Sequence, residues 1–227
     1  MEKKYELTDE TTEVDGHTLH RIRALRDFGD IKTGDLGGYI EKEDNLSHED
    51  NCWVGDNAKV FDHAHVFGDA LVSDDAKVCG HAKVYDDARV GGSACVFDDA
   101  NVSGNAKIYE YAEVYGFAEV SGDAKIYGFA NVSGDAKVYE YAKVSNAVVN
   151  GNTEVFGNAE VNGNTEVFGN AKIYGNARIL GEAKVSGNMK IYGKASILGN
   201  AWVFGNNCIY GNAQVTGNTK VSGNDIV

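Results

Sequence analysis

From about Cys52 onward the chain repeats every six residues, and Gly169-Asn170-Ala171-Lys172-Ile173-Tyr174 is one copy of the unit. An aliphatic residue recurs at Val60, Val66, Val72, Val78, Val84, Val90, Val96, Val102 and Ile108, with a small residue, usually Ala, two places before it. Residues two apart on an extended strand share a face, so Ala58 and Val60 point inward while Lys59 and Phe61 point outward. The Gly-Asn, Gly-Asp or Asp-Asp pair that follows breaks the strand, because these residues accept left-handed and turn conformations at low cost. Each unit is therefore a short strand and a corner. About thirty such units in succession, at a period unlike the heptad, leucine-rich or nonapeptide repeats, require a stacked architecture.

A period of six with one inward aliphatic residue resembles the hexapeptide-repeat β-helix superfamily. The resemblance implies an all-β protein: a left-handed triangular parallel β-helix in which three units make one 18-residue coil, with about ten coils in all. At the usual strand spacing the rod is on the order of 50 Å long. The left hand comes from the resemblance and is an exception to the right-handed crossover rule. The chain has no proline, which suits coils whose strands are hydrogen-bonded above and below.

Residues 1–50 lack the repeat and read as a small N-terminal β cap, with 51–227 as the β-helix. Tyr5-Glu6-Leu7 and His17 to Leu25 read as strands, joined by a hairpin turn at Asp15-Gly16. The succession Ala24-Leu25-Arg26-Asp27-Phe28, Gly34-Asp35-Leu36-Gly37-Gly38-Tyr39-Ile40, Asn45-Leu46-Ser47 and Cys52-Trp53-Val54 resembles the opening of the uncharacterised YdcK-like hexapeptide-repeat proteins of bacteria and prophages. Those proteins are often labelled transferases on the repeat alone, so the resemblance implies a cap and brings no catalytic residue. A cap covers the unpaired N–H and C=O groups of an open solenoid end, and Arg21, Arg23, Arg26 and Asp27 are expected to serve it through surface ion pairs. A register break is expected near 145–147, where Ser145-Asn146-Ala147 is one residue short. The repeat runs to Val227, so that end is expected to abut another copy or a partner.

Net charge is −13 and is uneven: residues 1–145 hold 29 acids and 15 bases, residues 146–227 hold 5 and 6. The acidity argues against direct nucleic-acid binding, which needs a basic face. No segment resembles a signal peptide or a membrane span, so a cytoplasmic protein is expected. Cys52, Cys79, Cys95 and Cys208 have no metal-ligand spacing and read as free thiols.

Positions eighteen apart stack, which sorts the outward residues into columns. Arg89, Lys107, Lys125 and Lys143 form one, with Tyr109 and Tyr127 two residues beyond the middle pair. Like charges one strand spacing apart repel. The plainer reading is that Asp87, Asp123 and Glu140 neutralise them; the functional one is a cationic, aromatic strip for an anionic ligand. Tyr139, Phe156, Tyr174, Tyr192 and Tyr210 form a second column, expected to be an oligomer interface. Asn152, Asn170, Asn188, Asn206 and Asn224 form an amide ladder. His63, His81 and Asp99 share a corner, with His65 near; no metal or other cofactor is assigned, because solvated corner histidines explain them.

The function expected is non-catalytic binding on a rigid rod, with a small anionic ligand held in clefts of a homotrimer or, failing a trimer, end-to-end pairing through the last coil. One alternative is a hexapeptide-type acyltransferase, disfavoured because no loop interrupts the coils and every histidine lies at or before His81. Another is an acidic nucleic-acid mimic presenting Asp62, Asp74, Asp86 and Asp98 to a DNA-binding protein.

Overall fold

The computed structural model describes residues 3–222. The strands that the repeat encodes are mostly two residues long, too short to stand alone, and each is held by strands eighteen residues before and after it. Lys59–Val60 pairs in parallel with Lys77–Val78, which pairs with Cys95–Val96, which pairs with Glu113–Val114. The outward residue's amide donates to the next coil, as from Lys59 to the Ala76 carbonyl and from Lys77 to the Ala94 carbonyl, both at 2.9 Å. The strands thus sort into three sheets of thirteen, ten and nine strands among the described residues. The architecture is an all-β parallel solenoid with an 18-residue coil, and its one helical turn among those residues is the 3-10 segment Glu43–Asn45.

Inside, the period-two pairs fill the rod: Ala58, Val60, Ala76, Val78, Ala124 and Ile126 are all fully buried. Thr153 and Thr165 take the Ala place in two units and Met189 in a third, and all three are buried. The corners explain the acidic first half. Asp62, Asp74, Asp86, Asp98 and Glu110 adopt left-handed backbone, φ between 56° and 61°, which Asp tolerates better than most residues. Each carboxylate then accepts a backbone N–H from the corner of the next coil: Gly80, Gly92, Gly104, Gly116 and Gly128 donate at 2.7 to 3.2 Å. The aspartates read from sequence as mimics of phosphate are thereby occupied within the stack.

The cap is built from β1 (Tyr5–Val14), β2 (His17–Ala24) and β3 (Leu36–Ile40). β1 and β2 form the hairpin expected, with Asp15 and Gly16 both at positive φ, but β1 runs on to Val14. β3 is antiparallel to β2 and parallel to Lys59–Val60, so the cap continues one face of the solenoid. Its Gly37 and Gly38 have no room for a side chain: a Cβ at either would lie 2.5 Å from a backbone oxygen, of Val54 and Ala58 respectively. Lys4 plugs the end. It is fully buried, and its ammonium donates to the carbonyls of Glu49 at 3.1 Å and Cys52 at 2.8 Å, with the Cys52 sulfur at 3.1 Å. Arg21 pairs with Glu10 at 2.9 Å, Arg23 with Glu6, and Asp27 with Lys32 at 3.4 Å. Arg26 departs from the expected ion pairing and donates to the His48 carbonyl at 3.4 Å.

Register changes once. Tyr127 pairs with Ser145, eighteen residues on, but Asn131 pairs with Val148, seventeen on. Asn146, at φ 48°, makes the shortened corner, and its Oδ1 accepts the Phe129 N–H at 3.0 Å. Beyond it Asn152, Asn170, Asn188 and Asn206 bond amide to amide at 3.0, 2.9 and 2.6 Å; Asn224 and the chain end lie outside the described residues.

Candidate functional site: a cationic groove

The strands Arg89–Val90, Lys107–Ile108, Lys125–Tyr127 and Lys143–Ser145 follow one another in the ten-stranded sheet, so their first residues stand in single file. Together with the preceding corner they line an open groove of about 700 Å³ that also contains Asp87, Asn105, Asp123, Tyr141, Asn158 and Glu160. Four other basic residues on the solenoid meet an acid one coil away, Lys137 with Glu119, Lys172 with Glu154, Arg178 with Glu160 and Lys184 with Glu166, at 2.6 to 3.1 Å, while Lys59 and Lys77, register neighbours in another sheet, form no ion pair among the described residues. Among the described residues, Arg89, Lys107, Lys125 and Lys143 make no such pair. Asp87 and Asp123 line the groove but stay outside pairing distance, and Glu140 is not among the lining residues, so none of these three acids forms an ion pair with the column.

The groove opens toward the corner before the strands, which places Tyr109 and Tyr127 off it. They stack on each other, centroids 5.2 Å apart and 3° from parallel, and burial pushes the Tyr109 phenol pKa up. The aromatic wall of the groove is instead Tyr141, 60% exposed. Sequence columns alone miss it, since its neighbours at eighteen residues are Asp123 and, after the register change, Asn158.

On another face Tyr139, Phe156, Tyr174, Tyr192 and Tyr210 stack at 4.8 to 5.4 Å, within 12° of parallel. Their faces cover one another and their edges face outward. Burial and then Glu154, which accepts the hydroxyl at 3.2 Å, push the Tyr139 pKa up to about 12.

Of the corner histidines, His63 and His81 stack at 4.9 Å, and the described residues do not bring Asp99 into a ligand set with them. The three-group cluster that does form is one the sequence conceals: His17, Glu41 and Asp62. The His17 Nδ1 lies 3.0 Å from Glu41 and its Nε2 lies 3.1 Å from Asp62. Both ring nitrogens face carboxylates, which suits an imidazolium clamp between cap and first coil, and the Glu41 hydrogen bond raises the His17 pKa. Nothing periodic links the three residues, so no sequence signal marks them. A second groove, of about 520 Å³, lies at the cap end and is lined by His48, His63 and His65 with Glu43, Asp44 and Glu49. Burial lowers the pKa of His48 and His65.

Coil length, corner chemistry and core together define a hexapeptide-repeat parallel β-solenoid, here with a cationic groove on one face. No family model matches the chain. Over 62 residues it is 37% identical to the "Uncharacterized acetyltransferase YdcK" of Escherichia coli strain K12; that match covers 24% of this chain and 19% of the E. coli protein. The similarity therefore concerns a segment and not either whole protein. Among the described residues no helix is long and apolar enough to cross a membrane.

Proposed function

We propose that this protein is a binding module that holds an anionic ligand along Arg89, Lys107, Lys125 and Lys143. One observation carries the reading: this column sets four cations in file on successive coils along one groove without ion pairs, whereas Lys137, Lys172, Arg178 and Lys184 each meet an acid one coil away. Uncompensated charge in a groove attracts anions, and charge-assisted hydrogen bonds then hold them. A linear anion with several charges matches four donors in file. We further propose that the rods associate through the column from Tyr139 to Tyr210, whose outward ring edges form a long apolar strip.

The test combines native mass spectrometry of the purified protein with titration by tripolyphosphate. A reproducible extra mass, and binding that weakens with salt, are expected. Replacing Lys107→Glu and Lys125→Glu together is expected to abolish both while circular dichroism is unchanged. Undiminished affinity in that double variant removes the strip from consideration. Tyr174→Glu with Tyr192→Glu is expected to convert an oligomer into single chains in the same spectra.

A second reading, acyl transfer, is favoured by the E. coli similarity and by the histidine groove. His65, with a pKa lowered by burial, is neutral near pH 7 and thus able to act as a general base, whereas the His48 Nδ1 already accepts the Lys4 N–H at 3.2 Å. Thiol release from acetyl-coenzyme A in the presence of amine or sugar acceptors, lost in His65→Ala, would support this reading over the first.

A further inference from the structure

The shortened corner interrupts an aromatic ladder. Tyr111 and Phe129 occupy the same place on successive coils and stack, centroids 5.1 Å apart and 7° from parallel. The following coil has no residue in that place, because Ser145 answers Tyr127 and Val148 answers Asn131, leaving only Asn146-Ala147 between them. One face of the Phe129 ring is covered by Tyr111; the other meets no ring, only the corner of Asn146, whose Oδ1 accepts the Phe129 N–H, and the residue is 72% exposed. Pairing resumes at eighteen with Val148 opposite Glu166, so the next residue equivalent to Phe129 is Asn164, two coils away.

Two coil spacings are about 9.6 Å. Rings on adjacent coils of this protein stack at 4.7 to 5.4 Å, so a flat ring placed in the gap would sit at ladder spacing from both Phe129 and Asn164. The gap is a notch of about 350 Å³. Its floor is Val148, 41% exposed on a face where Asn131 and Glu166 precede and follow it. Its edges are polar and underused. Asn164 stands outside the amide ladders that hold Asn152 to Asn206 and Asn200 to Asn218. Glu166 meets Lys184 through one oxygen at 2.9 Å, which leaves the other as an acceptor.

We propose that this notch is a binding slot for a flat nitrogen heterocycle of the nucleobase kind, stacked on Phe129 over Val148 and hydrogen-bonded at its edge by Asn164 and Glu166. Stacking on an exposed ring supplies affinity and tolerates different bases; the amide and carboxylate add donors and acceptors for ring N–H and amino groups. The slot is separate from the cationic groove and does not depend on it.

The probes are adenosine, cytidine and uridine, added at millimolar concentration to the full chain and read by saturation-transfer difference NMR. Saturation of the base protons is expected, with weaker transfer to the ribose. Phe129→Ala, a change at an exposed position, is expected to weaken the apparent affinity roughly tenfold or more. Inserting one phenylalanine between Asn146 and Ala147 fills the gap with the protein's own ring and is expected to abolish the signal. The Lys107→Glu, Lys125→Glu variant is expected to bind nucleosides as before. Absence of transfer to every nucleoside, or transfer that survives Phe129→Ala, overturns the proposal.

Discussion

Replacing Lys125→Gln should stabilise this protein while weakening anion binding. The Lys125 strand lies between those of Lys107 and Lys143, one coil spacing of about 4.8 Å from each. Two unit charges at that distance repel by about 0.9 kcal/mol in water, and a Debye length near 8 Å at physiological salt leaves roughly half of it. Removing the central charge deletes two such repulsions, so the gain approaches 2 kcal/mol at low salt and about 1 kcal/mol at 0.15 M; splaying of the lysine stems makes both figures upper bounds. For a chain of this size 1 kcal/mol corresponds to roughly 2–4 °C in melting temperature. Thermal unfolding followed by circular dichroism should show Lys125→Gln melting above the parent at 10 mM salt, with the difference shrinking as salt is added. Lys125→Glu should shift further in the same direction. If Lys125→Gln melts at or below the parent temperature at low salt, Asp87 and Asp123 already balance the column across the groove, and the surplus charge on which the binding proposal rests is not there.

Two further outcomes follow from the corners and the cap. Asp74→Ala should cost about 1–2 kcal/mol in urea unfolding, since it loses both left-handed tolerance and the 2.7 Å bond from the Gly92 N–H, while Asp74→Gly should cost less because only the bond goes; equal losses would refute the backbone argument. His17 gains carboxylate partners on folding and its pKa is raised, so its contribution is complete below the unfolded value near 6.5 and fades as pH rises through the folded value. The Glu41 pKa is lowered by the same contact, so its share is lost as pH falls through that folded value. The protection factors of the β1–β2 amides, which are exchange rates corrected for their intrinsic rise with pH, should accordingly fall from pH 6 to pH 8 in the parent and lose this dependence in His17→Gln.

The fold was legible because its determinants are local and periodic. Ala58 and Val60 two apart fix which face is inside, Asp or Gly at each corner fixes where the strand ends, and eighteen-residue stacking then places Arg89, Lys107, Lys125 and Lys143 in file by arithmetic. Legibility failed where contacts leave the period. Tyr141 enters the groove from a corner, the missing residue near 146 uncovers Phe129 on a coil that is itself regular, and His17, Glu41 and Asp62 meet only because the hairpin folds back over the first coil. β3 was hidden for a similar reason. Its Gly37-Gly38 carries no repeat signal, yet it lets a strand press against Val54 and Ala58 where a side chain would collide.

The buried Lys4 and the hairpin around it also bear on how the chain acquires its shape. During synthesis this end leaves the ribosome first, so a finished sheet edge at Tyr39-Ile40 is available when Lys59-Val60 emerges to pair with it. Later strands find their template eighteen residues behind, or seventeen in the coil that follows the short corner. Relative to 227 residues that separation is roughly 0.08, within the range of helical bundles and below that of most β proteins. Assembly can therefore proceed as a zipper in step with translation, each coil protected by the one before it, and a chain deprived of its first fifty residues would have to start that zipper on an unprotected edge.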